Sequence, residues 1–178
     1  MKKFDPFNNR LARNIRNGLS KSFLEALIER DLSLCKKRAD GFLEQDLEQI
    51  YQVYIRTRLE KYDEIFAVVE QGQIDDELQQ AEILWEYELY FEMHELLENI
   101  WKNAEGNKRK ALQGLIRAAG MKIHAENGNF KAAAAMGRKA QTALQLYGKV
   151  LIRFHKLESI LAEIQNTLAN MDISFQEY

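Results

Sequence analysis

Proline is nearly absent from this chain of 178 residues, and its one occurrence, Pro6, lies close to the N-terminus. Because proline lacks the backbone N–H that an α-helix uses, its absence beyond this position leaves no residue that forces a helix to break. Leucine, alanine, glutamate, glutamine, lysine and arginine dominate the composition, and all are good helix formers. The sequence therefore predicts an all-α protein.

The rest of the composition limits which sites and locations the chain can have. Hydrophobic residues make up 46%, an ordinary share for a globular core. Cys35 is the only cysteine, so the chain can form neither an intramolecular disulfide nor a cysteine-rich zinc site. No apolar run approaches the roughly 20 residues that cross a bilayer, and the N-terminus lacks the apolar segment of a secretory signal. We therefore expect a cytoplasmic protein with no membrane partner.

The net charge of −2 conceals a strong segregation of charge along the chain. Residues 1–38 hold ten Lys and Arg against four Asp and Glu, residues 44–98 hold three against sixteen, and residues 99–178 hold twelve against six. We expect these blocks to face each other across the fold. The basic N-terminal block carries no known nucleic-acid reader motif, so nucleic acid is not an expected partner.

Local capping and breaking signals divide the first part of the chain into helices. In order, these signals are caps at Asn8 or Asn9, a break at Gly18 and Ser20, a helix start at Ser33, a capping-box pair at Asp46 and Gln49, and a turn at Gly72. The last turn predicts the boundary between an N-terminal helical region, residues 1–72, and a C-terminal helical bundle, residues 73–178.

The same kinds of signal divide the second region. They are a cap at Asp75 or Asp76, a loop at residues 103–107, a turn at Asn127 and Gly128, a helix end at Gly148, and a final helix over about residues 156–169. Periodicity alone predicts one unbroken helix from Asp76 to Trp101. Because the turns are short, we expect antiparallel helical hairpins in this bundle.

One helical segment, residues 91–101, combines aromatic and ionisable side chains. At 100° per residue, Met93, Leu96, Leu97 and Ile100 form an apolar arc, and Phe91, His94, Glu98 and Trp101 continue from its edge. Glu92, Glu95 and Asn99 fall on the remaining side, with Glu95 at the margin. A histidine and a carboxylate that border a core are expected to pair, because burying an unpaired charge is unfavourable.

The following helix has a polar stripe of its own. Gln113, Arg117 and His124 recur at helical spacing, and Gly120 between them offers room for a neighbouring helix to approach closely. In an antiparallel hairpin, His124 would lie near the early part of the 91–101 segment and Gln113 nearer its end. Arg109 could reach a carboxylate of that segment.

The order of these motifs resembles family 309 of the domains of unknown function. The run from Tyr90 to Trp101 contains the family's aromatic–Phe–x–x–His–Glu–x–x–Glu–x–x–Trp pattern. Gln-Gly-Leu-Ile follows from Gln113, and His124 precedes a Gly-Asn turn and an alanine-rich helix. The resemblance covers about residues 78–145. It implies a small helical bundle with no settled biochemical role, and a short turn just before Tyr90.

Two positions depart from the family pattern. The glycine usually found in the turn before Tyr90 is replaced by the sequence Glu86-Tyr87-Glu88. The glutamine usually found after Gly-Leu-Ile is Arg117, which adds a positive charge beside the candidate site.

The polar and aromatic residues allow more than one role. A buried hydrogen-bond network that fixes helix register would use His94, Glu98, Arg109, Gln113 and His124. A binding cleft would be lined by Phe91, His94, Glu98, Trp101, Arg109, Gln113, Arg117 and His124. We favour a non-enzymatic binding or interaction protein whose cleft surrounds His94, Glu98 and Trp101. Its partner would be a small ligand or a protein, and self-association is left open.

The alternative is a divalent-metal-dependent hydrolase. His94, Glu98 and His124 would be the metal ligands and Glu95 the general base. The second histidine of the zincin motif is missing, and no Glu-x-x-His pair of a di-iron site is present. We therefore expect no cofactor, and a divalent metal is the one exception left open.

Overall fold

The computed structural model describes residues 3–176, with side chains described as far as Met171. Within these residues the chain forms eight α-helices and one short 3₁₀ turn, Gly148–Val150, and it has no strand. The helices are α1 (Arg10–Glu29), α2 (Ser33–Leu43), α3 (Gln49–Gly72), α4 (Glu77–Glu86), α5 (Tyr90–Lys102), α6 (Gly106–Glu126), α7 (Phe130–Tyr147) and α8 (Leu157–Gln176). The predicted all-α helical bundle is confirmed. Over the described residues, none of these helices has the combined length and apolar character that a bilayer crossing needs.

The chain divides into two compact units between Ile74 and Asp75. The first contains α1–α3 and the second contains α4–α8. At the boundary, α3 ends with Gln73 in the left-handed conformation, at a φ of 50°. The backbone N–H groups of Gln73 and Ile74 donate to the carbonyls of Glu70 and Val69, which closes the helix end. The division into an N-terminal helical region, residues 1–72, and a C-terminal helical bundle, residues 73–178, remains a prediction.

In the first unit, α1 continues past Gly18, where the sequence predicted a break. The predicted break at Gly18 and Ser20 is wrong, because α1 runs without interruption from Arg10 to Glu29. A Cβ atom at Gly18 would lie 3.0 Å from the ring of Phe42, so the glycine makes room for α2 rather than ending a helix. The first helix is capped as expected, with the Asn9 side chain accepting from the backbone N–H of Ala12 at 2.9 Å.

The core of this unit is built from the buried face of α1. Ile15, Leu19 and Phe23 are fully buried, and Phe23 stacks on Tyr62 of α3 with ring centroids 4.0 Å apart. The predicted capping box of α3 is wrong, because the helix starts at Gln49 with no side-chain cap.

In the second unit, a turn separates α4 from α5. Asp76 caps α4, and its side chain accepts from the N–H groups of Leu78 and Gln79. The helix ends at Glu86, and two residues later Glu88 has a φ of 59°. The N–H of Leu89 donates to the carbonyl of Leu84 at 2.8 Å. The unbroken helix predicted from periodicity is therefore wrong, and the turn implied by the family resemblance is confirmed.

Small residues bring α6 and α7 close together. The turn between the two helices contains Gly128, with a φ of 78°, as the Asn-Gly signal predicted. A Cβ atom at Gly120 would lie 2.8 Å from the sulfur of Met136, and one at Gly114 would lie 2.9 Å from the side chain of Leu144. The close approach expected at Gly120 is confirmed.

A buried carboxylate holds the start of α8. Glu82 of α4 is only 7% exposed, and it accepts hydrogen bonds from the backbone N–H groups of His155 and Lys156. These groups precede the first turn of α8, where backbone donors have no partner within the helix. The helix starts one residue later than predicted but continues to Gln176, beyond the expected end near residue 169. Residues 177 and 178 lie outside the described residues.

The segregated charges meet between helices within each unit. The acidic block pairs with the basic blocks on both sides of it in Glu70–Arg30, Asp63–Lys36, Asp76–Arg153 and Glu86–Lys156. Charge blocks along the sequence thus become pairs across the fold. Because these pairs are largely exposed, each contributes at most about 1 kcal/mol.

Candidate functional site

Helix α5 presents the predicted site on one side of a buried apolar face. Met93, Leu96 and Leu97 are buried, and His94 lies beside them with its side chain 26% exposed. The wheel prediction for this apolar arc is confirmed at these three residues. Burial of the arc orients α5 and so determines where the neighbouring polar side chains emerge.

His94 lies between two carboxylates. Its Nδ1 is 3.6 Å from Oε1 of Glu95, and its Nε2 is 3.8 Å from Oε1 of Glu98. Both distances exceed a normal hydrogen bond but allow a charge interaction when the ring is protonated. The predicted association of His94 with Glu98 is present, and Glu95 joins it from the other side of the ring.

In the described part of the chain, these three side chains form the one cluster of His, Cys, Asp or Glu residues that could bind a metal ion. One ligand atom from each of His94, Glu95 and Glu98 can be chosen so that all lie within 4.8 Å of one another. His124, which we predicted as the third ligand, is not part of this cluster. The two carboxylates are 44% and 42% exposed, so solvent and ligands reach them.

Trp101 and Arg109 pack against each other at the α5–α6 connection. The guanidinium carbon of Arg109 lies 3.8 Å from the Trp101 ring centroid. Its Nη1 donates to the carbonyls of Trp101 and Ala104, at 3.3 and 3.2 Å. Arg109 therefore satisfies carbonyl groups at the end of α5, where a positive charge is also favoured by the helix dipole. Arg109 was expected to reach a carboxylate of α5, but in the described part of the chain its side-chain hydrogen bonds go to these two carbonyls instead.

Glu92 lies in a different environment from the one that the helical wheel predicts. We placed it on the polar side of α5, yet it is fully buried, with no exposed surface. A helical wheel assumes a single buried face, whereas α5 packs against both α4 and α6. The sequence carries no local signal for this second covered face.

The predicted residues of α6 are partly buried and less closely tied to the site. Burial lowers the pKa of His124 from its ordinary value. Gln113 and Arg117 are half-buried, as is Phe91 of α5. In the described part of the chain, Arg117 makes neither an ion pair nor a hydrogen bond through its side chain.

A second polar-aromatic cluster was missed in the sequence. The Nζ atom of Lys122 lies 5.3 Å from the Trp85 ring and 5.5 Å from the Tyr90 ring, and it donates to Glu163 at 3.0 Å. The same carboxylate accepts from the indole N–H of Trp85 at 3.0 Å. Burial, together with nearby carboxylates, raises the pKa of Tyr90. The only available signal was a lysine between apolar residues of α6, Met121 and Ile123.

The two clusters differ in what they can do chemically. Lys122 and Glu163 neutralise each other and join α6 to α8, so their role is structural. In the other cluster, the half-exposed carboxylates of Glu95 and Glu98 lie on either side of the His94 ring. That arrangement can bind a cation, or exchange a proton with a bound ligand.

The predicted resemblance is confirmed by comparison with known proteins. The matching segment begins in α4 and ends in α7, and so contains the His94 cluster, Trp101 and His124. The chain matches none of the curated proteins and none of the solved structures. Over residues 78–136, about a third of the chain, it is similar to the family described as "Domain of unknown function (DUF309)".

Proposed function

We propose that the protein is a non-enzymatic binding protein whose α5 surface, formed by His94, Glu95 and Glu98, holds a cationic group of a ligand or partner. The observation that carries the proposal is the convergence of two half-exposed carboxylates around one histidine. The negative charges of the two carboxylates attract the positive charge of a lysine or arginine side chain.

The surroundings of the cluster support a protein or peptide ligand. The indole N–H of Trp101, one turn after Glu98, is buried and donates to no acceptor in the described part of the protein. Buried donors without a partner are rare in proteins. A peptide offers a basic side chain for the carboxylates, and one of its backbone carbonyls can accept from this donor once the indole ring turns towards it.

Removal of the two carboxylates tests this function. The Glu95→Gln/Glu98→Gln double variant should bind a hexalysine peptide about five- to tenfold more weakly than the unaltered protein, because two half-exposed attractions are lost. Isothermal titration calorimetry at low salt measures the dissociation constant.

The matched control is the Glu60→Gln/Glu64→Gln double variant, which removes two exposed carboxylates one turn apart on α3. It should bind the peptide as the unaltered protein does. Equal weakening in both double variants would mean that only net charge matters, and the proposed site would be wrong. His94→Ala should keep its helical circular dichroism, whereas unfolding would assign His94 a purely structural role.

A divalent-metal hydrolase is the second candidate, favoured by the 4.8 Å grouping of the three possible ligand atoms. A single metal ion would bind one ring nitrogen, yet the two carboxylates lie beside different nitrogens of His94. At least one carboxylate side chain would therefore have to rotate. If Glu95 became a ligand, it would no longer be available as the general base.

Zinc titration separates the two metal arrangements. After treatment with a chelator, a metal site should take up one equivalent of Zn²⁺, and His94→Ala should abolish this uptake. Loss of uptake in His124→Ala would favour His94, Glu98 and His124 as ligands, with Glu95 as the base. Retention would favour the cluster on α5. If the unaltered protein takes up no Zn²⁺, Ni²⁺ or Mn²⁺, the hydrolase is wrong.

A further inference from the structure

A cleft in the second unit shares no lining residue with the proposed α5 surface. It consists of two adjoining cavities of about 370 and 570 Å³. Glu77, Ile100 and Lys108 line both cavities, so we call it the Ile100 cleft. These volumes fall within the range of small-ligand pockets, roughly 300–1,000 Å³.

One wall of the Ile100 cleft is apolar. Leu78 at the start of α4 and Ile100 near the end of α5 face the segment that joins α7 to α8. In that segment Val150 is 42% exposed and Ile152 is 85% exposed, the highest value for a large hydrophobic side chain in the described residues. An apolar side chain of a ligand would cover surface that is now in contact with water.

The charged groups of the cleft are only partly matched with one another. At one edge, Arg153 pairs with Asp76 at 3.0 Å. The side chains of Glu77, Glu105 and Lys108 make no hydrogen bond or ion pair in the described part of the chain. The cleft therefore presents separate positive and negative groups that do not neutralise each other.

We propose that the Ile100 cleft binds a short zwitterionic peptide. Its ammonium group lies towards Glu77 and Glu105, its carboxylate lies towards Lys108, and its apolar side chain covers Ile100. A peptide fits better than a free amino acid, because Glu77 and Lys108 do not form an ion pair with each other, and a peptide holds its two charges farther apart than a single amino acid does. The proposal is independent of the binding function proposed for α5.

Comparing a peptide that has free ends with the same peptide that has blocked ends measures how much the two terminal charges contribute to binding. The tripeptide Ala-Leu-Ala with free ends should shift the backbone amide resonances of Ile100 and Ile152 in a ¹H–¹⁵N NMR titration. The same peptide with an acetylated N-terminus and an amidated C-terminus should bind at least about tenfold more weakly, since it keeps the apolar side chain but loses both charges. Equal binding of the two peptides, or no shift at either isoleucine, would overturn the proposal.

Two variants assign the charges to residues. Glu77→Gln and Lys108→Gln should each weaken binding of the free-ended peptide by about fivefold. Lys139→Gln, which removes an exposed lysine of α7 outside the cleft, should leave binding unchanged. Equal weakening by Lys139→Gln and Lys108→Gln, or binding of leucine as tight as that of the peptide, would also contradict the proposal.

Discussion

At the scale of single residues, the second unit contains one residue, Glu88, in a backbone conformation that its residue type does not favour. Glu88 has a φ of 59°, a left-handed conformation that non-glycine residues adopt at a cost of about 1–2 kcal/mol. The resemblance indicated glycine for this turn. His94 and Glu98, by contrast, lie one turn apart on a helix, which is why their association could be predicted from spacing alone.

Replacement of Glu88 by glycine should stabilise the protein. Glycine adopts a positive φ without steric strain, so Glu88→Gly should raise the free energy of unfolding by about 1 kcal/mol. Urea denaturation measures the change. Lys139→Gly, at an exposed position inside α7, should instead lower stability by about 1 kcal/mol. A loss of stability in Glu88→Gly would show that its side chain contributes more than its backbone strain removes.

His124 should make stability depend on pH near neutrality. Burial lowers the pKa of His124 in the folded protein, whereas in the unfolded chain the pKa returns to about 6.5. As the pH falls through about 6.5, His124 therefore takes up a proton in the unfolded chain before it does so in the folded protein. This proton uptake favours the unfolded state and lowers the free energy of unfolding. His124→Gln should remove this decrease, which denaturation between about pH 5 and 8 would detect. An unchanged pH dependence in the variant would assign the effect to other groups.

At the scale of helices, the second unit is held together by close approach and by contacts at helix ends. Gly114 and Gly120 allow α6 to approach α7, and Glu82 supplies acceptors for the start of α8. Helix positions follow local patterns, but these contacts require side chains from elements far apart in sequence.

The two glycines of α6 should differ in their tolerance of alanine. A Cβ atom at Gly114 would meet Leu144 at 2.9 Å and the Cβ of Ala143 at 3.2 Å, and the latter cannot rotate away. Gly114→Ala should therefore destabilise the protein by about 1–3 kcal/mol. Gly120→Ala would meet only the flexible thioether of Met136, so it should be close to neutral in thermal denaturation. Equal effects of the two substitutions would contradict this packing.

Loss of the buried carboxylate should loosen α8. Glu82→Ala leaves the backbone N–H groups of His155 and Lys156 without their acceptor, which should lower stability by about 2–3 kcal/mol. Amide hydrogen exchange in the first turns of α8 should become faster. Glu82→Gln keeps a carbonyl acceptor, so it should show a smaller effect. An equal loss in both variants would mean that the charge matters more than the hydrogen bonds.

At the scale of the whole molecule, the chain consists of two compact units with their boundary after Ile74. The family match lies entirely within the second unit. All ion pairs named above join residues of the same unit. These features favour the predicted separation into an N-terminal helical region and a C-terminal bundle.

Expression of residues 75–178 alone tests this division. The fragment should fold, with a helical circular dichroism spectrum and one cooperative thermal transition, because the contacts of α4–α8 described above are all internal to it. The unit boundary would be wrong if the fragment were unfolded at a temperature where the full chain is folded.

The all-α class follows from the sequence by itself, because helix propensity and the absence of proline after Pro6 act on each residue locally. The end of α6, the turn at Gly128 and the spacing of His94, Glu95 and Glu98 are local for the same reason. The break at Glu88 was implied only by resemblance, because the residues present there favour a continuing helix.

Only the tertiary structure decided which polar side chains are buried and which are exposed to solvent. Burial of Glu92, the stacking of Arg109 on Trp101 and the joining of Lys122 to Glu163 each depend on a partner outside the local helical pattern. Helical periodicity reports one buried face, whereas in a bundle a helix can be covered from several directions. That difference left His94, Glu95 and Glu98 accessible while it enclosed Glu92 on the same helix.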